Sequence, residues 1–174
     1  MWATATPFHH RAPGAVGAAL DDDRVTVSLI ADGVHCHPVA ARLALRAKGP
    51  SRVLLATDGV AAVGMGPGRY RLGSEEIIVD ERAARLEDGT LAGSTLTLDR
   101  AMREMIAMTR CPAVDALRMA SDVPARVLKL PTKGRIAIGH DADLTLLDEN
   151  LGVTATLVGG RIAYRRKTDV SASA

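Results

Sequence analysis

Aromatic side chains are almost missing from this 174-residue sequence, which holds one Trp, two Tyr and one Phe. A core must therefore be aliphatic, and no aromatic platform interleaved with basic residues is available for stacking single-stranded nucleic acid. A dominant charge is missing too. The 22 Lys and Arg nearly balance the 20 Asp and Glu, and a net charge of +2 gives no case for a nucleic-acid partner. No apolar run approaches the ~20 residues of a membrane span. The start, Met1 to Arg11, lacks both the basic opening and the apolar segment of a secretory signal. Cysteine is scarce: Cys36 and Cys111 cannot form a disulfide framework, and both read as reduced thiols of a cytoplasmic protein. What remains is 47% hydrophobic residues in a length that suits one domain, or one and a fraction.

Two buried strand-like runs organise the chain. Val25 to Ala31 stops at Asp32-Gly33, with His35-Cys36-His37 just beyond, and Arg52 to Thr57 stops at Asp58-Gly59. Between them Pro38 to Lys48 has the length of a helix, opened by Pro38 and ended by Gly49-Pro50. Strand, helix, strand implies a parallel pair joined by a crossover. Both carboxyl ends then lie on one side, so His35 and Asp58 are expected to face one crevice, where α/β folds place their chemistry.

Elsewhere the signals are local. Residues 1–24 read as loop, with Pro7, Pro13, Gly14, Gly17 and the Asp21-Asp22-Asp23 run. Residues 69–90 carry three short segments broken at Gly73-Ser74, Asp80-Glu81 and Asp88-Gly89, which predicts an antiparallel β insertion. Apolar spacing predicts a helix over 98–109, a second from Pro112 to about Ser121 and a short third over 124–130. Strands are expected over 142–148 and 153–158, with a Gly159-Gly160 hairpin into 161–164 and a frayed polar tail over 166–174. Two parallel strands make a poor sheet alone, so the chain reads as beginning in the middle of a fold.

The ordered motifs carry a resemblance. They are His9-His10-Arg11-Ala12-Pro13-Gly14, Ile30-Ala31-Asp32-Gly33-Val34-His35, Thr57-Asp58-Gly59, Asp88 through Thr97, and Arg118-Met119-Ala120-Ser121. Together with Lys133 to Ile136 and Gly139 to Leu144, they resemble the C-terminal part of the N-acetylglucosamine-6-phosphate deacetylases of the amidohydrolase superfamily, over about residues 8–165. The resemblance implies an α/β fold: the last two strands and helices of a metal-dependent (β/α)8 barrel over 1–132, and part of a small β-sandwich over 133–165. It implies hydrolysis of the acetamide of an amino-sugar phosphate, a Zn-like divalent metal and a homodimer. It makes Asp58 the catalytic acid/base, His35 and Arg11 substrate-binding, and Leu91-Ala92-Gly93 a substrate-contacting turn. Arg11 would contact phosphate in the neighbouring subunit's site. The family's metal ligands, a Glu and two His, fall upstream of Met1, and its substrate-contacting Asn-Ala pair aligns with Ala3-Thr4. No metal ligand is expected in this chain.

Amide hydrolysis needs an activated water and a group to move its proton, and an Asp at a strand's carboxyl end can do the second. Each candidate also has a plainer role. Asp58-Gly59 is a common turn signal, His35 suits an ordinary loop, and Arg11 an ordinary surface. His35 and His37 could bind metal as a pair, while Gly93-Ser94 could offer N–H groups to a substrate or only enter the next helix. Met102, Met105, Met108 and Met119 read as core filler. Three functions stay open: a deacetylase, a non-catalytic remnant (or a chain with a misplaced start) that binds sugar phosphate, and one subunit of a split enzyme. The chain alone is expected to be inactive, and to be poorly soluble, oligomeric or only partly folded.

Overall fold

The computed structural model describes residues 7–167, so Ala3-Thr4 and residues 168–174 lie outside the described residues. It is a mixed α/β structure with three separate sheets. Strands β1 (Val27–Ile30) and β2 (Val53–Ala56) pair in parallel, Val27 opposite Val53 and Leu29 opposite Leu55. Their alternation is strict: Val27, Leu29, Val53 and Leu55 are buried, whereas Ser28, Ile30, Leu54 and Ala56 are half-buried. Successive strand side chains take opposite faces, so one face of the pair is sealed and the other is partly open.

Helices seal that face. The crossover helix α2 (Pro38–Lys48) begins with Pro38, where a missing N–H costs nothing, and the His37 Nδ1 accepts the Val39 N–H at 3.2 Å. Gly49, at φ 65°, ends it. Helices α3 (Leu98–Thr109) and α4 (Ala113–Ala120) complete the layer. Ala41, Ala44, Ala101 and Ala116 are fully buried and let the helices approach closely, while Met105 and Met119 fill the space that aromatics would otherwise occupy. Arg42 ties α2 to the end of α3 by donating to the Met108 carbonyl at 2.8 Å. The buried Lys48 ammonium donates to the Asp22 carbonyl at 2.6 Å.

Three expectations need correction. Residues 14–21 form a helix, α1 (Gly14–Asp21), not a loop. The glycines read there as breakers, but Gly17 is demanded by contact: a Cβ on it would lie 2.3 Å from the Pro13 Cβ. The β insertion has four strands rather than three: β3 (Gly68–Leu72), β4 (Glu75–Val79), β5 (Ala83–Arg85) and β6 (Leu91–Ser94), paired in that order. Leu91-Ala92-Gly93 is therefore strand, not turn. The last helix, α5 (Asp122–Val127), starts earlier and stops sooner than 124–130, closed by Lys129 in the left-handed region at φ 55°.

The third sheet is β7 (Leu144–Leu147), β8 (Val153–Val158) and β9 (Arg161–Arg165), an antiparallel meander. Gly159 and Gly160 both have positive φ, as the tight turn between β8 and β9 requires. Order extends into the expected tail: the Arg166 N–H donates to the Thr154 carbonyl and its guanidinium pairs with Asp148, both at 2.8 Å. Among the described residues no helix is long and apolar enough to cross a membrane.

Candidate active site

The end of β1 folds around a buried carboxylate. One oxygen of Asp32, Oδ1, accepts the N–H groups of Val34 at 2.9 Å and His35 at 2.8 Å, a turn that Asp is suited to close. The other, Oδ2, lies 2.6 Å from the His35 Nδ1. The His35 ring is consequently fixed and nearly enclosed, with a side chain 5% exposed. Its remaining nitrogen, Nε2, faces the Asp58 Oδ2 at 4.0 Å. Parallel pairing thus brings His35 and Asp58 into one crevice.

Asp58 is held differently. Its side chain is 59% exposed and its backbone is left-handed, at φ 51°. Asp tolerates that region better than most residues. Strand β6 passes behind it and fixes the backbone: the Ser94 N–H donates to the Asp58 carbonyl at 2.8 Å, and the Val60 N–H to the Ser94 carbonyl at 3.1 Å. The Ser94 hydroxyl donates to the Thr57 carbonyl and accepts the Leu96 N–H at 3.0 Å. Ser94 therefore clasps β2 and has no N–H left for a substrate.

Gly93 makes this passage possible. A Cβ there would stand 2.8 Å from the Val60 Cγ1, 2.9 Å from the Asp58 carbonyl oxygen and 3.9 Å from its Oδ2. Of the Leu91-Ala92-Gly93 segment, Gly93 is the part brought against Asp58. Ala92 packs on the small core beneath the insertion, and Leu91 pairs with Arg85.

Arg11 lies exposed ahead of α1, and among the described residues its side chain hydrogen-bonds neither His35 nor Asp58. His37 is occupied as the cap of α2, so it does not join His35 as a metal pair. Cys36, between them, is buried, and burial pushes its thiol up to about 11. It is a packing group rather than a thiolate at neutral pH.

The roles of three contributors escaped the sequence reading. Asp32 carried a local signal, an Asp-Gly at a strand end three residues ahead of a His. Ser94 was read only as an N–H donor to substrate or a helix-entry residue, and neither its clasp on β2 nor the role of Arg82 carried a local signal, because both are long-range. Arg82, from the insertion, donates to the Asp32 carbonyl at 3.0 Å across 50 positions of sequence. Among the described residues no three His, Cys, Asp or Glu side chains gather as metal donors. A cavity of about 520 Å³ lies elsewhere, against α3, α4 and β7, lined by Met102, Leu117, Lys133 and Leu147.

The chain is similar in sequence and in fold to known proteins. The sequence is 40% identical over 168 residues to an N-acetylglucosamine-6-phosphate deacetylase of Bacillus subtilis, covering 96% of this chain and 42% of that protein. The chain thus spans about two fifths of the length of such relatives. It also covers 95% of a putative N-acetylgalactosamine-6-phosphate deacetylase of Escherichia coli K12, at 41% identity. The Thermotoga maritima N-acetylglucosamine-6-phosphate deacetylase structure superposes with a TM-score of 0.87 at 38% identity, over 92% of this chain and 44% of that one. A mutant Mycobacterium smegmatis enzyme, solved with N-acetyl-D-glucosamine-6-phosphate, gives 0.84 at 42% identity, over 91% of this chain and 42% of that one. Residues 5–163, nearly the whole sequence, match the family described as the Amidohydrolase family, and the chain belongs to it.

Proposed function

We propose that this chain carries the proton-handling and substrate-binding part of an N-acetylglucosamine-6-phosphate deacetylase. The convergence of Asp58 and His35 at the carboxyl ends of β1 and β2 carries the reading. In this reading, β1, β2 and their helices are the last two units of a (β/α)8 barrel, and β7–β9 are part of a β-sandwich. The likeness to solved deacetylases over nine-tenths of the chain supports it.

The steps assigned to these residues are simple. Water adds through oxygen to the acetyl carbonyl carbon while the Asp58 carboxylate takes its proton. Asp58 returns that proton to the nitrogen as the C–N bond breaks, leaving acetic acid and the amine, and the acid's proton then passes to the amine to give acetate and the ammonium form. His35 Nε2 hydrogen-bonds a polar group of the substrate. Arg11 offers a planar fork to a phosphate in the neighbouring subunit of a homodimer, and Gly93 keeps the space beside Asp58 clear. The two buried, free thiols suit a cytoplasmic location.

A divalent metal such as zinc belongs to the family's chemistry, but these residues alone do not fit one. His35 and Asp58 offer two donors, where zinc takes four ligands. No step is therefore assigned to it. That shortfall favours a second reading, in which the chain binds sugar phosphate without turnover, alone or beside a partner chain. One pair of assays separates them. The 174-residue chain with added Zn²⁺ is expected to release no acetate from N-acetylglucosamine 6-phosphate. Joined to the remaining portion of the Bacillus subtilis relative, it is expected to release acetate in a manner that depends on Asp58. A joined protein that binds the sugar phosphate yet releases nothing would replace the first reading with the second. N-acetylgalactosamine 6-phosphate, assayed in parallel, decides the preferred sugar.

A further inference from the structure

The buried carboxylate beneath His35 has a role that the hydrolytic steps leave unused. Asp32 is 1% exposed, and three donor-facing contacts surround it. A carboxylate can only accept. Its Oδ1 is taken by two backbone N–H groups, so Oδ2, 2.6 Å from Nδ1, requires the imidazole proton on Nδ1. The ring then has one free edge, Nε2, aimed at Asp58 across 4.0 Å. An oxygen about 2.8 Å from each atom fits that gap, the length of an ordinary hydrogen bond to a hydroxyl or water.

We propose that Asp32 is a positioning residue: it fixes the tautomer and angle of His35, so that Nε2 meets the substrate with its proton state already set. The naming of that substrate rests on the deacetylase reading; the positioning itself does not. Arg82 reinforces it from the β insertion. Its Nη2 donates to the Asp32 carbonyl at 3.0 Å and would stand 3.0 Å from a Cβ on Gly33, which has φ +73°. Insertion, turn and ring are thereby locked into one unit. Other catalytic systems show that a carboxylate behind a histidine acts in this way, through tautomer and orientation without itself being protonated.

The variant Asp32→Asn separates positioning from simple packing. Its amide oxygen can keep the two backbone N–H groups, which turns its NH2 towards Nδ1 and drives the ring proton to Nε2. Two-bond ¹H–¹⁵N spectra of the full chain, with His35 assigned by its loss in His35→Gln, are expected to show Nδ1–H in the unmodified protein and Nε2–H in the variant. An Nε2–H ring in the unmodified protein overturns the proposal, whatever the variant does. Calorimetric titration of the joined protein described above with N-acetylglucosamine 6-phosphate supplies the second arm. Asp32→Asn is expected to weaken binding about tenfold when His35 is present and less than about twofold in the His35→Gln background, since coupled residues depart from additivity. Equal losses in both backgrounds mean a merely structural carboxylate and overturn it. If the joined protein binds no sugar phosphate, the deacetylase reading fails, and the tautomer result alone decides the positioning.

Discussion

The parallel pair β1–β2 and the meander β7–β9 are both regular sheets, but they are held by different forces. Alternate residues of β1 and β2 are sealed under α2, α3 and α4, and the strand ends are fixed by side-chain bonds from Asp32 and Ser94. In the meander β9 is exposed throughout, with Ile162 at 59% and Tyr164 at 50%. Its order comes from ladder hydrogen bonds and a two-glycine turn, with little burial behind them. Two polar side chains can be aimed at each other only from a backbone that cannot shift. The proposed chemistry accordingly falls at the sealed pair, where Asp58, although its side chain is open to solvent, projects from a fixed main chain.

The strongest way to sharpen this contrast is to remove the chemistry and leave the packing. Asp58→Asn, in the joined protein described above, is expected to lower kcat about 10²–10⁴-fold while KM changes only a few-fold, the range for loss of a general acid/base. The exposed side chain makes few packing contacts, so the unfolding midpoint should barely move. A rise in KM at unchanged kcat would show a binding or turn residue and end the proton-transfer assignment.

The packing half of the contrast is next in size. Leu29→Ala removes a side chain that is 1% exposed at the centre of the larger core and is expected to cost about 2–5 kcal/mol. Ile162→Ala on β9 is expected to cost under about 0.5 kcal/mol, as surface changes usually do. Urea unfolding of the two variants side by side measures this. Similar losses would mean that the meander is buried in solution against something else, and the comparison would collapse.

The sealed half was also the more legible. Pro38 and Gly49 bound α2 at 38–48, and apolar spacing located α3 at 98–109, because both signals are written within the element. The meeting of His35 and Asp58 followed from strand order alone, since a crossover forces two parallel carboxyl ends together. What resisted reading depends on distant partners. Gly17 resembles a helix breaker until Pro13 is seen against it, and Leu91–Ser94 resembles a turn until β5 pairs with it. Arg82 could not have been connected with Asp32 at all, being 50 positions away in the bend that leads into β5. Asp32 itself was visible as a turn former, but its hold on His35 depends on the ring folding back over it.

Glycine substitutions test the close passage of β6 behind Asp58. Gly93→Ala introduces a Cβ 2.8 Å from the Val60 Cγ1 and 2.9 Å from the Asp58 carbonyl, in a backbone at φ +131°. A cost of about 1–3 kcal/mol is expected from strain of this kind, together with a fall in kcat, because relief must displace the main chain that carries Asp58. Gly159→Ala, also at positive φ but with nothing within 4 Å, is the control and should cost only about 1 kcal/mol with kcat unchanged. Equal effects on kcat would show that backbone strain alone, not the passage behind Asp58, sets the result.

The smallest expected effect concerns the residue that stands apart. Arg11 is exposed, so its substitution should leave the fold untouched. If it reaches a phosphate in a neighbouring subunit, Arg11→Ala in the joined protein should raise KM about tenfold for N-acetylglucosamine 6-phosphate. It should barely affect the unphosphorylated sugar, since the lost contact is a charge-assisted fork to an anion. Mixing subunits locates that contact. Neither Arg11→Ala nor Asp58→Asn homodimers are competent at low substrate, but a mixed dimer joins an intact Asp58 on one subunit to an intact Arg11 from the other. With random pairing of equal amounts, half the dimers are mixed and each holds one complete site, so activity should return to about a quarter of normal. Recovery would place the arginine in the opposite subunit's site. No recovery, with the phosphate preference lost all the same, would place it in its own.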